Sequence, residues 1–229
     1  MVSVIIPTLN AERMLVPTLA ALVPAAADGL IRDVVIADGG SSDETKLIAD
    51  EAGCTVVSAP RGRGPQLAEG AKAARSDWLL FLHADTVLDD NWQKDVATFV
   101  EREMASGRGP RAATFRFQLA DPGWRPRLLE RLVALRCALF ALPYGDQGLL
   151  IHRSLYRSVG GFRDLPLMED VDMVRRIGRG RLTTLRTAAT TSAERYLRDG
   201  YFRRMLRNLT CLTLYFLRVP PSLIIRFYG

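Results

Sequence analysis

The chain has 229 residues, 48% of them hydrophobic, enough to bury the core of one large domain or two small ones, so disorder is not expected. Lysine and arginine number 31 against 25 aspartate and glutamate, a formal net charge of +6, and the excess is arginine, because only Lys46, Lys72 and Lys94 are lysine. Arginine suits bidentate contact with phosphate oxygens, but no basic run is interleaved with aromatic residues, which argues against nucleic acid as a partner.

Cys54, Cys137 and Cys211 are odd in number and far apart, with no Cys-x-x-Cys or Cys/His spacing. That argues against structural zinc and a disulfide framework, and a reducing cytoplasm is the expected compartment. The N-terminus opens on a strand-like run without the pattern of a signal peptide. No stretch reaches the roughly 18–20 uncharged apolar residues needed to span a bilayer.

The first half alternates strand and helix. Val2–Thr8 reads as a strand and Glu12–Val23 as a helix with Leu15, Leu19, Leu22 and Val23 on one face. Asp33–Ala37 is a second apolar run. Ser41 and Glu44 have capping-box spacing and predict a helix to about Ala52. Thr55–Ser58 is a third strand, Arg61–Pro65 a loop and Gln66–Ala74 a helix. Trp78–Leu82 is a fully apolar fourth strand, and Asn91–Met104 the next helix. Repeated strand–helix units predict a parallel sheet wrapped by helices.

The pattern changes after Gly107. Ala112–Leu119 alternates apolar and polar residues, as an antiparallel or edge strand would. Leu128–Leu142 reads as an apolar helix, Gly148–His152 as a short strand, and residues 166–178 as a helix with an acidic start. No linker-like boundary is visible. One domain is expected, with a nucleotide-binding half (1–107), an acceptor-binding half (108–190) and a helical tail (191–229).

In open α/β sheets ligands bind outside the carboxyl ends of the strands, and four such ends carry polar residues here. Pro7, Thr8, Asn10 and Glu12 follow the first, without the Gly-x-Gly-x-x-Gly fingerprint of dinucleotide sites. Asp38 ends the second; a carboxylate there can accept bonds from a ribose or base edge, or simply organise its own turn. Arg61 and Arg63 sit in the glycine-rich loop after the third, where arginines can meet phosphate oxygens. The fourth delivers His83, Ala84 and Asp85, and Asp85 is a candidate oxygen ligand for a divalent cation. Together they suit a nucleoside diphosphate with a metal ion.

These residues carry a family resemblance. Ser3–Asn10, Asp38–Thr45, His83–Thr86, Gly160-Gly161-Phe162 and Glu169-Asp170, in this order, resemble family 2 glycosyltransferases. The resemblance implies a GT-A-like (Rossmann-like) α/β fold, a mostly parallel sheet flanked by helices with a C-terminal helical extension. It implies that Pro7, Thr8, Asn10, Glu12 and Asp38 bind the uridine of a UDP-sugar. Asp85 would match the last Asp of the Asp-x-Asp metal motif and hold Mg2+ or Mn2+, and Glu169-Asp170 the acidic pair that supplies the catalytic base.

The first Asp of that motif is His83 here, which removes one carboxylate but leaves a side chain that can itself ligate manganese. His83-Ala84-Asp85-Thr86, the short length and Tyr144–Gly148 resemble a small selenium-associated bacterial subgroup that includes selenosugar synthase of selenoneine biosynthesis. That resemblance implies UDP-N-acetylglucosamine or UDP-glucose as donor and selenophosphate as acceptor. An anionic acceptor needs cationic positioning more than deprotonation, and Arg153, Arg175 and Arg176 are candidates for it. Asp146 and Gln147 either orient the sugar or form a turn. The arginine-rich apolar tail suits a peripheral membrane contact, a homodimer face or core packing.

Overall fold

The structure, a computed structural model, describes residues 1–107 and 109–228. Arg108 and Gly229, which bound the expected acceptor half and tail, lie outside the described residues.

Strand β1 (Val2–Thr8) is buried along nearly its whole length, as its run of Val and Ile requires. It pairs in parallel with β2 (Ile31–Asp38) on one side and β4 (Trp78–Phe81) on the other, while β3 (Thr55–Ser58) adds to the far side of β2. The carboxyl ends of four parallel strands therefore open at one rim. The sheet continues beyond β4 in mixed directions, in the order β3-β2-β1-β4-β7-β6-β8-β5. Here β5 is Thr86–Leu88, β6 Ala112–Leu119, β7 Leu149–His152 and β8 Leu182–Thr191.

Helices cover both faces. Leu15 of α1 (Glu12–Ala20) and Trp92, Val96 and Phe99 of α5 (Trp92–Ala105) pack with Val4, Ile6, Trp78 and Leu80. On the other face Leu67 and Ala71 of α4 (Arg63–Ala73) meet Ile5, Val35 and Leu79, joined by Met173 and Ile177 from the helix that begins at Glu169. A Cβ on Gly70 would collide with Ile5, so only glycine lets α4 lie this close to β1.

Several expectations need correction. The helix expected over Glu12–Val23 is two, α1 and α2 (Val23–Ala27), because Pro24 sits in the first turn of a second helix, where its missing N–H costs nothing. Ser41 does not start a helix; α3 (Thr45–Glu51) begins four residues later, where Asp43 accepts bonds from the Thr45 N–H and hydroxyl. Arg63, Gly64 and Pro65 are not loop but the first turn of α4. Of the two expectations for β6 the antiparallel one holds toward β7, but the strand also pairs in parallel with β8 and so lies in the sheet interior, not at an edge. The strands β5 and β8 were not expected at all.

The back half adds α6 (Trp124–Phe140), a 3-10 turn at Gly145–Gln147, α7 (Arg153–Ser158) and α8 (Glu169–Ile177). The tail forms α9 (Glu194–Asp199), α10 (Tyr201–Phe216) and α11 (Pro221–Tyr228). Cys211 and Ile224 are buried against Leu142, Val171 and Val174, so part of the tail is core. Among the described residues no helix is long and apolar enough to cross a membrane.

Candidate active site

At the rim formed by β1 and β2, side chains knit the two strand ends together. Asp38 is buried, and its oxygens accept from Thr8 Oγ1 at 3.1 Å, Gly40 N at 3.0 Å, Ser41 N at 2.9 Å and the Ser41 hydroxyl. Burial works to raise its pKa, but the bonds from Ser41, Gly40 and Thr8 outweigh it and hold the carboxyl below its usual range. Asn10 adopts a left-handed φ of 52° and accepts from Ser42 N at 2.9 Å. Glu12 accepts from Glu44 N at 3.2 Å. Pro7 is held in the sheet opposite Ala37. Asn10, Glu12, Ser42 and Asp43 line one wall of an open cleft of about 600 Å3, with Ser192 and Glu194 on the other. Sequence reasoning missed Gln66, which is buried and donates to Thr8 O at 2.6 Å and Ala37 O at 2.9 Å, fastening α4 to both strand ends.

A second cleft, with a cavity of about 110 Å3, opens at the end of β4 and gathers Arg63, His83, Asp85, Asp146, Glu169 and Asp170. The turn bearing His83, Ala84 and Asp85 is fixed by backbone: Thr18 Oγ1 donates to Ala84 O at 2.8 Å, and Ser192 N to Asp85 O at 3.2 Å. The His83 ring lies against Gly145, where a Cβ would stand 2.6 Å from Nε2, so this approach depends on glycine. Burial, with the Arg63 charge adding to it, pushes the His83 pKa down to about 4, so its imidazole is neutral at pH 7.

The acidic pair divides its work. Asp170 accepts from Gly145 N at 2.7 Å through one oxygen and from Val171 N at 2.7 Å through the other, bracing the 3-10 turn against α8. Glu169 is buried, with Oε1 3.9 Å from an Arg63 guanidinium nitrogen. Burial, reinforced by the charge of Asp170, pushes the Glu169 pKa up to about 7 against the pull of Arg63. Asp146 is likewise raised to about 7 by burial, with Arg136 opposing. Its Oδ1 is buried without a hydrogen-bond partner, and Asp85 lines the same cavity. Two carboxylates in one cleft, one of them with a buried oxygen left unpaired, fit a hard divalent cation that completes its shell with diphosphate oxygens and water. No described group of three or more His, Cys, Asp or Glu residues could hold a metal alone.

Other expected residues lie elsewhere or are occupied. Arg61 is exposed and does not line this cleft. The Gln147 amide is buried and donates to Phe115 O at 3.0 Å, so it supports the turn. Arg153 donates to the carbonyls of Ala71, Ala74 and Ser76, capping the end of α4. Arg176 pairs with Asp172 at 2.6 Å, and Arg175 lies over the Phe216 ring. The cationic wall instead comes from Arg63 and Arg195, together with Arg204, which is buried and paired with Asp199 at 3.3 Å. Arg195 and Arg204 look like any other arginines of the tail, and nothing local in the sequence marks them.

The fold and the rim of polar strand ends define a GT-A-like α/β protein. A solved structure of S. aureus TarS, residues 1–349, matches with a TM-score of 0.67 at 16% identity, covering 99% of this chain and 69% of that one. The structure of glucosyl-3-phosphoglycerate synthase from Mycobacterium tuberculosis, in complex with Mn2+, UDP and glucosyl-3-phosphoglycerate, matches with a TM-score of 0.58 at 21% identity, covering 91% of this chain and 78% of that one. At such identities the likeness is one of fold. Residues 3–132, more than half of the chain, match the family model for glycosyl transferase family 2, and the chain belongs to that family. Glucosyl-3-phosphoglycerate synthase from Mycolicibacterium paratuberculosis is 30% identical over 95 residues, a match that spans 38% of this chain and 29% of that relative.

Proposed function

We propose that this protein transfers a hexose, glucose or N-acetylglucosamine, from a UDP-sugar to a small anionic acceptor, by single displacement with inversion. The observation that carries the reading is the placement of Arg63, Arg195 and Arg204 around the same cleft as Asp85. A nucleoside diphosphate and an anionic acceptor both need cationic walls, and guanidinium groups supply them without competing as nucleophiles. A bound Mg2+ or Mn2+ would neutralise charge developing on the departing UDP. Asp85 and Asp146, with His83 beside them, would hold that ion. Asn10, Glu12 and Asp43 are placed to receive the nucleoside in the neighbouring open cleft.

The acceptor we favour is selenophosphate, on the resemblance of His83–Thr86 and Tyr144–Gly148. Its selenium would attack the anomeric carbon while the bond to the UDP oxygen breaks and the electron pair leaves with UDP. No proton has to be removed. A second reading rests on Glu169: a buried carboxyl raised to about 7 is poised to take a proton from a hydroxyl acceptor. The phosphoglycerate in the names of the relatives supports an acceptor that is both anionic and hydroxylated.

UDP release should be measured with UDP-glucose and UDP-N-acetylglucosamine against selenophosphate, 3-phosphoglycerate and neutral alcohols. Release that depends on selenophosphate supports the favoured acceptor. Release with 3-phosphoglycerate alone transfers the assignment to the second reading. Release only with neutral alcohols contradicts the cationic wall as an acceptor site.

A further inference from the structure

Helices α6 and α10 diverge to form an apolar groove of about 740 Å3, far larger than the cavity at the end of β4. Its rims carry large side chains left in water: Phe140 is 65% exposed and Phe202 79%, with Leu135, Leu139, Leu206 and Leu209 exposed beside them. Leu217 (69% exposed) and Phe227 extend the apolar surface along the tail. A contiguous exposed apolar face of this kind marks an interaction surface.

Charge says what covers it. Helix α6 and the tail from the start of α9, residues 124–140 and 194–229, together hold eleven arginines against three acids, Glu130, Glu194 and Asp199. Glu130 is paired with Arg127 at 2.8 Å and Asp199 with Arg198 at 2.9 Å, while Glu194 lines the separate cleft beside Asn10 and Glu12. The exposed charged side chains of α6 and α10, Arg125, Arg131 and Arg203, are all positive. A second copy is a poor occupant, because a two-fold interface apposes the same patch on both subunits and would set arginine against arginine. An anionic bilayer complements both properties, with hydrocarbon for the groove and lipid phosphates for the arginines.

We propose that the α6–α10 face docks on an anionic membrane surface, with the groove taking lipid acyl chains. Tyr144, Asp146, Tyr196 and Asn208 line both the groove and the catalytic cleft, so docking sets the mouth of that cleft at the membrane plane. The inference does not depend on which acceptor is used.

The test is co-sedimentation of the full chain with vesicles, either phosphatidylcholine alone or phosphatidylcholine mixed with phosphatidylglycerol. Binding to the anionic vesicles should be at least tenfold tighter and should weaken as salt rises. Leu206→Gln with Leu209→Gln should reduce anionic-vesicle binding tenfold or more. Arg131→Glu with Arg203→Glu should abolish the preference for anionic lipid. All four side chains are exposed, so the far-UV circular dichroism and melting temperature of the variants should match the parent. Failure to bind anionic vesicles would overturn the proposal. So would sedimentation velocity showing a dimer that the leucine variant breaks, which would assign the face to a second copy.

Discussion

At the scale of single residues, the site depends on one close approach. Gly145 lets the His83 ring approach the 3-10 turn beside the Asp170 carboxylate, and a Cβ there, 2.6 Å from His83 Nε2, would displace the ring. Gly145→Ala should cost about 1–3 kcal/mol of stability through overpacking and reduce kcat/KM by roughly 100-fold, since misplacing a positioned group by about 1 Å costs that much. Thermal melts and steady-state kinetics check both. Titration gives a second handle. Asp146 has its pKa raised in the fold from 3.8 to about 7, so the folded state favours its protonated form. The stability this contributes is complete below pH 3.8 and is lost as pH rises through 7. Asp146→Asn should therefore gain on the parent between pH 5 and pH 8 in metal-free melts, by at most about 3 kcal/mol. Parallel curves would show that the carboxyl is not desolvated. Glu169 separates the two acceptors. With a hydroxyl acceptor kcat should climb as pH rises through 7 and collapse in Glu169→Gln, whereas with selenophosphate the climb should be missing. The places of Asp85 after a strand and of Glu169 and Asp170 at a helix start were legible from local signals, whereas their roles were implied only by the family resemblance. Arg195 and Arg204 were not legible, because more than a hundred residues separate them from Asp85 and only the folded tail brings them across.

Among the elements, those with a strong period were legible. The buried strand β1, the short β3 and the alternating β6 have the bounds their patterns predict. The strands β5 and β8 were not. Only three residues long, β5 carries no period, and the threonines and alanines of β8 are too small and too mixed to show an apolar alternation. For β6 the alternation suggested an antiparallel or edge strand; it is antiparallel to β7, yet the parallel partner β8 on its other side was not legible. Arg153 shows how a charge can be spent on architecture. Its guanidinium takes up the carbonyls of Ala71, Ala74 and Ser76 that α4 and the following turn leave unpaired. Arg153→Ala should lower stability by about 1–3 kcal/mol and leave the affinity for UDP unchanged, measured by melting and by titration calorimetry. A loss of UDP affinity without a loss of stability would return Arg153 to the binding site.

At the scale of the whole molecule, the sheet collects chemistry that the chain scatters. The parallel half presents the rim proposed for the nucleoside, the mixed half supplies Asp146, Glu169 and Asp170, and the tail adds arginine to the cleft. The substitution of His83 for a carboxylate takes on a new meaning in that setting. A neutral imidazole lowers the negative charge of the cleft, and Asp146, contributed from a turn sixty residues away, keeps a second carboxylate on the same cavity. The central claim is that this cavity, organised by Asp85, is where the sugar is transferred. It is tested most directly by UDP release from a UDP-hexose with Mn2+ and a small anionic acceptor, comparing the parent with Asp85→Asn. The expected result is a loss of 100-fold or more in kcat, because charge on the departing diphosphate is no longer met. A variant that turns over at the parent rate would place the chemistry elsewhere.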